Sequence, residues 1–271
     1  MPSEQDSRET VRVAPPVDGW VNPWPQCFEL AQALDCSKWT LVGGLMVQLH
    51  AVIAGIRLSR PTVDVDMVLH VETGAISSPE LTRVLNALGY VLERPIRPKA
   101  LAHRFTRSYG ELLQVVDVMV ADHGIAKPPF LLDGRQTFKV SGGTQALRRT
   151  FICEVADEGG AVVTRLSLPS VLGALVLKGA AYREDSRDRE RHLEDAAILA
   201  ALIGDPIAKI RELAGSDRSR IIGLKNALEG APHPAWSAMS AEDGERARYA
   251  LDVLSSNPQE FDREGELGPA Y

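Results

Sequence analysis

The sequence predicts an α+β protein in which a mixed α/β domain precedes a helical domain. Between residues 21 and 166, short β-type runs alternate with helical apolar patterns, whereas from Ser167 onward the apolar residues recur at helical spacing. A chain of 271 residues has room for one large or two modest domains. We therefore expect an α/β domain over 21–166 and a helical domain over 167–255, flanked by a mobile arm (1–20) and an acidic tail (256–271).

The arm is predicted from composition. Residues 1–20 mix Ser, Glu, Asp and Arg with Pro15-Pro16 and show no periodic apolar pattern, so we place them outside the fold. The elements predicted next are a helix after Pro25, a strand over 39–42 that ends at a Gly-Gly pair, a helix over 45–53, a strand over 62–71, a helix over 79–88 and a strand over 113–120.

The strand over 62–71 has the clearest pattern. Val63, Val65 and Met67 alternate with Asp64 and Asp66, which is the period of two expected for a strand with one core face. Its other face therefore carries two carboxylates.

The remaining elements are short strands followed by helices. Four further strands are predicted over 102–106, 137–140, 151–155 and 162–166. Helices are predicted over 168–182, 193–203, 207–213, 221–228 and 241–254, the first with Ser167 as a cap ahead of Pro169.

Composition excludes several classes of protein. Apolar residues make up 45% and charged residues 24%, as in soluble globular proteins rather than disordered or fibrous ones. No apolar run approaches the length of a bilayer span, and no charged segment followed by an apolar one opens the sequence, so a signal peptide is not expected. Cys27, Cys36 and Cys153 lie far apart, so neither a disulfide framework nor a zinc ribbon is indicated. We expect a cytoplasmic protein without a membrane partner.

Charge is distributed unevenly around a net charge of −6. Residues 91–150 contain ten basic and five acidic residues, while residues 226–271 contain three basic and nine acidic ones. The basic segment fits either an ordinary solvated surface or a surface that binds phosphates. Within it, Arg104 and Arg107 are candidate contacts for a polyanionic acceptor.

Three aspartates form the chemically most informative pattern. Asp64 and Asp66 project from one face of a strand, and Asp117 lies in a later apolar strand that could neighbour it. Two carboxylates about 4 Å apart repel by roughly 4 kcal/mol at an effective dielectric constant of 20, so such a cluster favours a cation. Oxygen ligands select Mg²⁺ or Mn²⁺, the ions that serve phosphoryl transfer. Alone, each aspartate also fits a solvated sheet face or an edge-strand charge.

Two segments resemble a known family. Residues 40–70, TLVGGLMVQLHAVIAGIRLSRPTVDVDMVLH, resemble the opening signature of the polymerase-β-like nucleotidyltransferase superfamily. The later LKGAAYRED and RHLEDAA resemble the lysine and aspartate motifs of its AbiEii branch, the MenT-type toxins of toxin–antitoxin systems. The resemblance covers roughly residues 38–205. It implies a mixed sheet with flanking helices, followed by a C-terminal helical bundle.

The resemblance also implies roles for individual residues. Metal binding would fall to Asp64, Asp66 and Asp117, and triphosphate binding to Gly43, Gly44 and Lys178. Asp195 would orient Lys178 or take part in proton transfer. Independently of the resemblance, Arg183 belongs to a run of alternating basic and acidic residues, which fits either an exposed, salt-bridged loop or a phosphate contact by Arg183. His192 stands where relatives usually have aspartate. The site is expected in a cleft between the sheet and the helices.

The function implied is metal-dependent transfer of NMP from an NTP to an acceptor, with Mg²⁺ or Mn²⁺ as cofactor. The expected acceptor is a tRNA 3′ end, and the expected protein partner is a small antitoxin. Two alternatives stay open. The acceptor could be a small hydroxylated molecule, as in antibiotic-modifying enzymes of the superfamily, or the chain could be a catalytically silent binding protein of the same fold.

Overall fold

The chain divides into two compact units, Met1–Ser170 and Val171–Tyr271, so the boundary lies slightly beyond the predicted residue 166. The structure, a computed structural model, describes residues 7–56, 61–97, 100–122, 129–229, 233–237 and 239–261. Within these ranges the first unit combines sheets with helices and the second is helical, so the predicted α+β class is confirmed.

All strands within the described residues lie in the first unit. They are β1 (Thr10–Val13), β2 (Trp39–Val42), β3 (Asp64–Leu69), β4 (Val91–Leu92), β5 (Arg104–Tyr109), β6 (Leu112–Ala121), β7 (Leu131–Leu132), β8 (Arg135–Gln136), β9 (Phe138–Val140), β10 (Thr150–Ala156) and β11 (Val162–Pro169). Its helices are α1 (Trp24–Ala33), α2 (Gly43–Ile53), α3 (Ser78–Ala87) and α4 (Gly143–Leu147).

The larger sheet is mixed and has the order β2-β3-β6-β5-β4, with β9 paired to β6. Strand β3 is central: it pairs antiparallel to β2 and parallel to β6. The predicted alternation of its side chains holds over 64–67, where Val65 and Met67 are fully buried while Asp64 and Asp66 stay partly exposed. It is wrong at the ends, because Val63 is 70% exposed and precedes the strand, and Val68 is buried. A smaller sheet has the order β1-β10-β11, and β7 pairs with β8.

The prediction of a mobile arm over 1–20 is wrong for its described part. Strand β1 pairs parallel to β10, with Thr10 opposite Ile152. The Arg8 guanidinium donates hydrogen bonds to the hydroxyls of Thr150 and Ser167, at 3.0 and 2.8 Å. Strand pairing satisfies backbone groups whatever the side chains, so a polar composition did not exclude an added edge strand.

The prediction of Ser167 as a helix cap is also wrong. Ser167 lies within β11, where its hydroxyl is 2.8 Å from that of Thr40, and the following helix begins only at Val171. Pro169 is the last residue of β11 and lies opposite Thr150 of β10.

His50 is buried in α2 and gives the first unit a pH-dependent stability. Its Nε2 donates to the carbonyl of Pro169 at 3.0 Å, and its ring lies against Phe151. Burial lowers the pKa of His50 from 6.5 to about 4. Because the pKa of His50 is lower in the folded than in the unfolded chain, folding favours the neutral ring. The resulting contribution to the free energy of unfolding is complete above pH 6.5 and is lost as the pH falls towards 4.

We expect His50→Gln to weaken the acid sensitivity of folding. Between pH 7 and pH 5 the wild-type chain should lose about 2 kcal/mol of unfolding free energy through His50, a loss that glutamine does not share. Urea denaturation of both proteins at the two pH values measures the difference. An identical pH dependence in the two proteins would show that His50 does not titrate as its burial indicates.

The second unit is helical throughout its described residues. Its helices are α5 (Val171–Glu184), α6 (Arg189–Ala201), α7 (Pro206–Ile210), α8 (Asp217–Leu228), α9 (Pro234–Ser237) and α10 (Ala241–Ser255), followed by a 3-10 turn over Pro258–Glu260. Most of the predicted acidic tail, residues 262–271, lies outside the described residues. Across the described ranges, no helix combines the length and apolar character that crossing a membrane requires.

Candidate metal centre

The turn from β2 into α2 lies directly beside Asp66. Val42, the last residue of β2, pairs with Asp66 across the sheet, and Gly43 follows with a positive φ of 71°. A Cβ atom on Gly43 would lie 1.8 Å from Oδ2 of Asp66 and 2.5 Å from its Cγ. Both the backbone conformation and the lack of space therefore require glycine at this position.

Strand register brings the three predicted aspartates together. Asp66 and Asp117 are paired residues of the parallel strands β3 and β6, and Asp64 lies two residues before Asp66 on the same face. One carboxylate oxygen from each of the three lies within 4.8 Å of the others. The convergence predicted from the sequence is thus present in the first unit.

Two of the carboxylates have identified hydrogen-bond donors. The Thr62 hydroxyl donates to Oδ1 of Asp64 at 3.2 Å. Arg104, directly opposite Asp117 on β5, donates from Nε to Oδ1 at 2.9 Å and from Nη2 to Oδ2 at 2.7 Å. Asp117 is buried, whereas 43% of the Arg104 side chain is exposed. Hydrogen bonding to Asp117 raises the pKa of Arg104, so this guanidinium carries its charge throughout the accessible pH range.

The residues present fit a hard divalent cation. Metal–oxygen distances of about 2.0 to 2.6 Å place ligand atoms up to about 4 to 5 Å apart on opposite sides of one ion, which is the range found here. All three donors are carboxylates, the ligand type that Mg²⁺ and Mn²⁺ prefer to thiolate or imidazole. Asp64, Asp66 and Asp117 can therefore hold such an ion.

A larger residue at position 43 should disrupt this centre although none of the three aspartates is substituted. In Gly43→Ala the new methyl group must displace the Asp66 carboxylate and adopt an unfavourable φ, so we expect a loss of about 1 to 3 kcal/mol in stability and a marked loss of cation binding. Thermal scans with EDTA or Mn²⁺ would measure both. Gly110→Ala is the matched control, because Gly110 also has positive φ but nothing within 4 Å of a new Cβ.

Gly44 and Arg183 have different surroundings. Gly44 is buried as the second residue of α2. Arg183 lies exposed in the last turn of α5, in the second unit, and its Nη1 donates to the Ser219 hydroxyl at 3.2 Å. No contact in the structure tests the predicted phosphate binding of either residue.

Lys178 and Asp195 form a buried ion pair within the second unit. Lys178 on α5 places its Nζ 2.7 Å from Oδ2 of Asp195 on α6. Their side chains are only 7% and 3% exposed. The pairing expected from the resemblance is therefore present, and each charge depends on the other for compensation.

His192 is a neighbour of this pair and does not replace a carboxylate electrostatically. Burial, followed by the charge of Lys178, lowers the pKa of His192, although Asp195 and Asp185 oppose the shift. Nε2 of His192 lies 3.7 Å from Asp185. The ring is thus held in its neutral form near neutral pH.

The predicted acceptor role of Arg107 is not supported. Its guanidinium donates to both oxygens of Glu29, to the side-chain carbonyl of Gln114 and to the backbone carbonyl of Leu88, and it lies over the ring of Tyr90. The side chain is mostly buried. Arg107 therefore stabilises the first unit, and its positive charge is already compensated.

The position of Arg104 beside Asp117 was not predicted from the sequence. Arg104 was predicted to contact an acceptor, yet its direct partner is the candidate metal ligand Asp117. The available signal was weak, because a basic residue on one strand and an acidic residue on the next become neighbours only once the register of the hairpin is known.

The chain was compared with protein-family models, with curated proteins and with solved structures, and none of these matches it.

Proposed function

We propose that the protein is a metal-dependent nucleotidyltransferase, in which a hydroxyl group attacks the α-phosphorus of an NTP, the α–β phosphoanhydride bond breaks, NMP is transferred to the hydroxyl oxygen and pyrophosphate leaves. The observation that carries the proposal is the convergence of Asp64, Asp66 and Asp117 on neighbouring strands. Closely spaced carboxylates repel one another and destabilise the fold unless a cation binds to them. Enzymes that catalyse phosphoryl transfer commonly use a divalent cation held by carboxylates. In this proposal the first unit has the polymerase-β-like fold, and the second is the helical bundle that accompanies it.

Residues of the first unit would bind the metal ion, orient one of its ligands and accept the proton of the attacking hydroxyl. Asp64, Asp66 and Asp117 would hold Mg²⁺ or Mn²⁺, and Thr62 would orient Asp64 through its hydrogen bond. The bound cation would neutralise charge on the triphosphate during transfer. One of the carboxylates would accept the proton of the attacking hydroxyl, as a positioned base does in this class of reaction. By resemblance, Gly43 and Gly44 would contact the nucleotide.

For the acceptor we propose a tRNA 3′ end, with the chain acting as the toxin of a toxin–antitoxin pair. This part rests on the AbiEii and MenT resemblance and on the net positive charge of residues 91–150. A specific observation favours the second candidate, a small hydroxylated acceptor: Arg104 and Arg107 of that segment are both paired with carboxylates of the first unit. A surface whose guanidiniums are already paired offers less attraction to a polyanion.

Incubation with each of four α-³²P-labelled NTPs in Mg²⁺ or Mn²⁺ tests the reaction and the acceptor together. Total tRNA, periodate-treated tRNA and a panel of aminoglycosides should be offered in parallel. Label on intact tRNA but not on periodate-treated tRNA would support transfer to the 3′ end, because periodate destroys the terminal diol. Label on an aminoglycoside would support the second candidate. An absence of NMP transfer under every condition would contradict the proposed function.

A further inference from the structure

We propose that Arg104 is a built-in counter-cation of the carboxylate cluster, which weakens the binding of a free divalent cation and makes the centre depend on the triphosphate for tight binding. This inference rests on the proposed metal centre and concerns its regulation. It starts from the two-point contact in which Arg104 Nε and Nη2 bind the two oxygens of Asp117, at 2.9 and 2.7 Å.

The contact is built into the sheet rather than reached by a flexible side chain. Arg104 and Asp117 are directly opposite residues of the antiparallel strands β5 and β6, and Asp117 is in turn opposite Asp66 on β3. The guanidinium and the other carboxylates therefore approach Asp117 from its two neighbouring strands. The negative charge of Asp64 also attracts the Arg104 guanidinium and contributes to its raised pKa.

The charges explain what this arrangement does. Three ionised aspartates carry a formal charge of −3, and the permanent positive charge of Arg104 reduces it to −2, the amount that one divalent ion neutralises. Each Asp117 oxygen keeps a lone pair beyond the one that accepts from Arg104, so both oxygens retain the capacity to coordinate an ion. The cost is electrostatic, because the arriving ion meets a fixed positive charge beside its third ligand.

An NTP removes that cost. Its triphosphate brings several negative charges, so a cation that arrives with the nucleotide is attracted despite Arg104, whereas a cation alone is held weakly. Arg104 thereby acts as a positioning residue. In the metal-free protein it reduces the repulsion between the three carboxylates, and it limits tight cation binding to the protein with bound NTP.

Titration calorimetry of the full chain with Mn²⁺ alone tests the proposal without any activity measurement. We expect Arg104→Gln to bind Mn²⁺ at least about 10-fold more tightly than the wild type, while its melting temperature in EDTA falls. If Arg104 had only a structural role, Arg104→Gln would have a lower melting temperature and an unchanged affinity for Mn²⁺. If Arg104 merely oriented Asp117, Arg104→Gln would bind Mn²⁺ more weakly than the wild type. Either of these results overturns the proposal.

Arg107→Gln is the matched control, since Arg107 lies on the same strand and binds Glu29 through an equivalent two-point contact. It should lower stability but leave Mn²⁺ affinity unchanged. Should Arg104→Gln not fold, Arg104→Met carries the test, because it also removes the positive charge while keeping a long side chain. Mn²⁺ binding by Arg104→Met no tighter than that of the wild type overturns the proposal.

The wild-type titration separates this proposal from the metal centre itself. If the wild type binds Mn²⁺ and Arg104→Gln binds it equally or less well, the role of Arg104 is refuted and the centre stands. If only the variant binds Mn²⁺, the role of Arg104 is supported. If neither protein binds Mn²⁺, both the role of Arg104 and the metal centre are refuted.

Discussion

Asp66→Asn is expected to lower NMP transfer by at least about 10³-fold and to raise the melting temperature of the metal-free protein by a few degrees. The activity falls because the variant loses the ligand that lies between the Gly43 turn and Asp117. The melting temperature rises because a like charge leaves the cluster. About 1 kcal/mol of relieved repulsion corresponds to roughly 2 to 4 °C in a unit of this size.

Transfer assays and thermal scans in EDTA, with and without Mn²⁺, measure both effects. Glu111→Gln provides the control, because it removes one exposed carboxylate from the β5–β6 turn of the same sheet, away from the cluster. That variant should retain activity and the full stabilisation by Mn²⁺. Normal transfer by Asp66→Asn would remove Asp66 from the metal centre.

Lys178→Met is expected to destabilise the chain by about 3 to 5 kcal/mol, the cost of leaving a buried charge without its partner. Asp195 would be that charge, because its side chain is almost completely buried and its carboxylate lies 2.7 Å from Lys178. The double variant Lys178→Met, Asp195→Leu should regain most of the stability, since it removes both charges and fills their volume. Urea denaturation of the full chain measures each free energy.

Activity of the double variant separates the two roles of Lys178. If the lysine contacts phosphate, as the resemblance implies, the double variant should be stable yet at least about 100-fold less active than the wild type. Recovery of both stability and activity would show that the pair is purely structural. Lys225→Met is the matched control: its partners Glu229 and Asp252 are exposed, so its loss should cost less than about 1 kcal/mol.

Some features of this protein were determined by local sequence. The alternation of Val65 and Met67 with the aspartates identified β3 and its two faces, because side chains on a strand alternate wherever the strand lies. Gly43 marked the turn after β2, because its positive φ is a local backbone requirement. The change to helical periodicity located the second unit to within a few residues.

Other features were decided only by tertiary structure. The added strand β1 draws its hydrogen bonds from β10, which lies some 140 residues away in the chain, so its own polar sequence carried no signal for it. The roles of Arg104 and Arg107 likewise depended on which residues the strand register placed opposite them. A charge count along the chain records a basic segment but not its partners. Pairing across a sheet is non-local, and for this reason the cluster of candidate ligands could be predicted from the alternation along one strand, whereas the arginine that pairs with Asp117 could not.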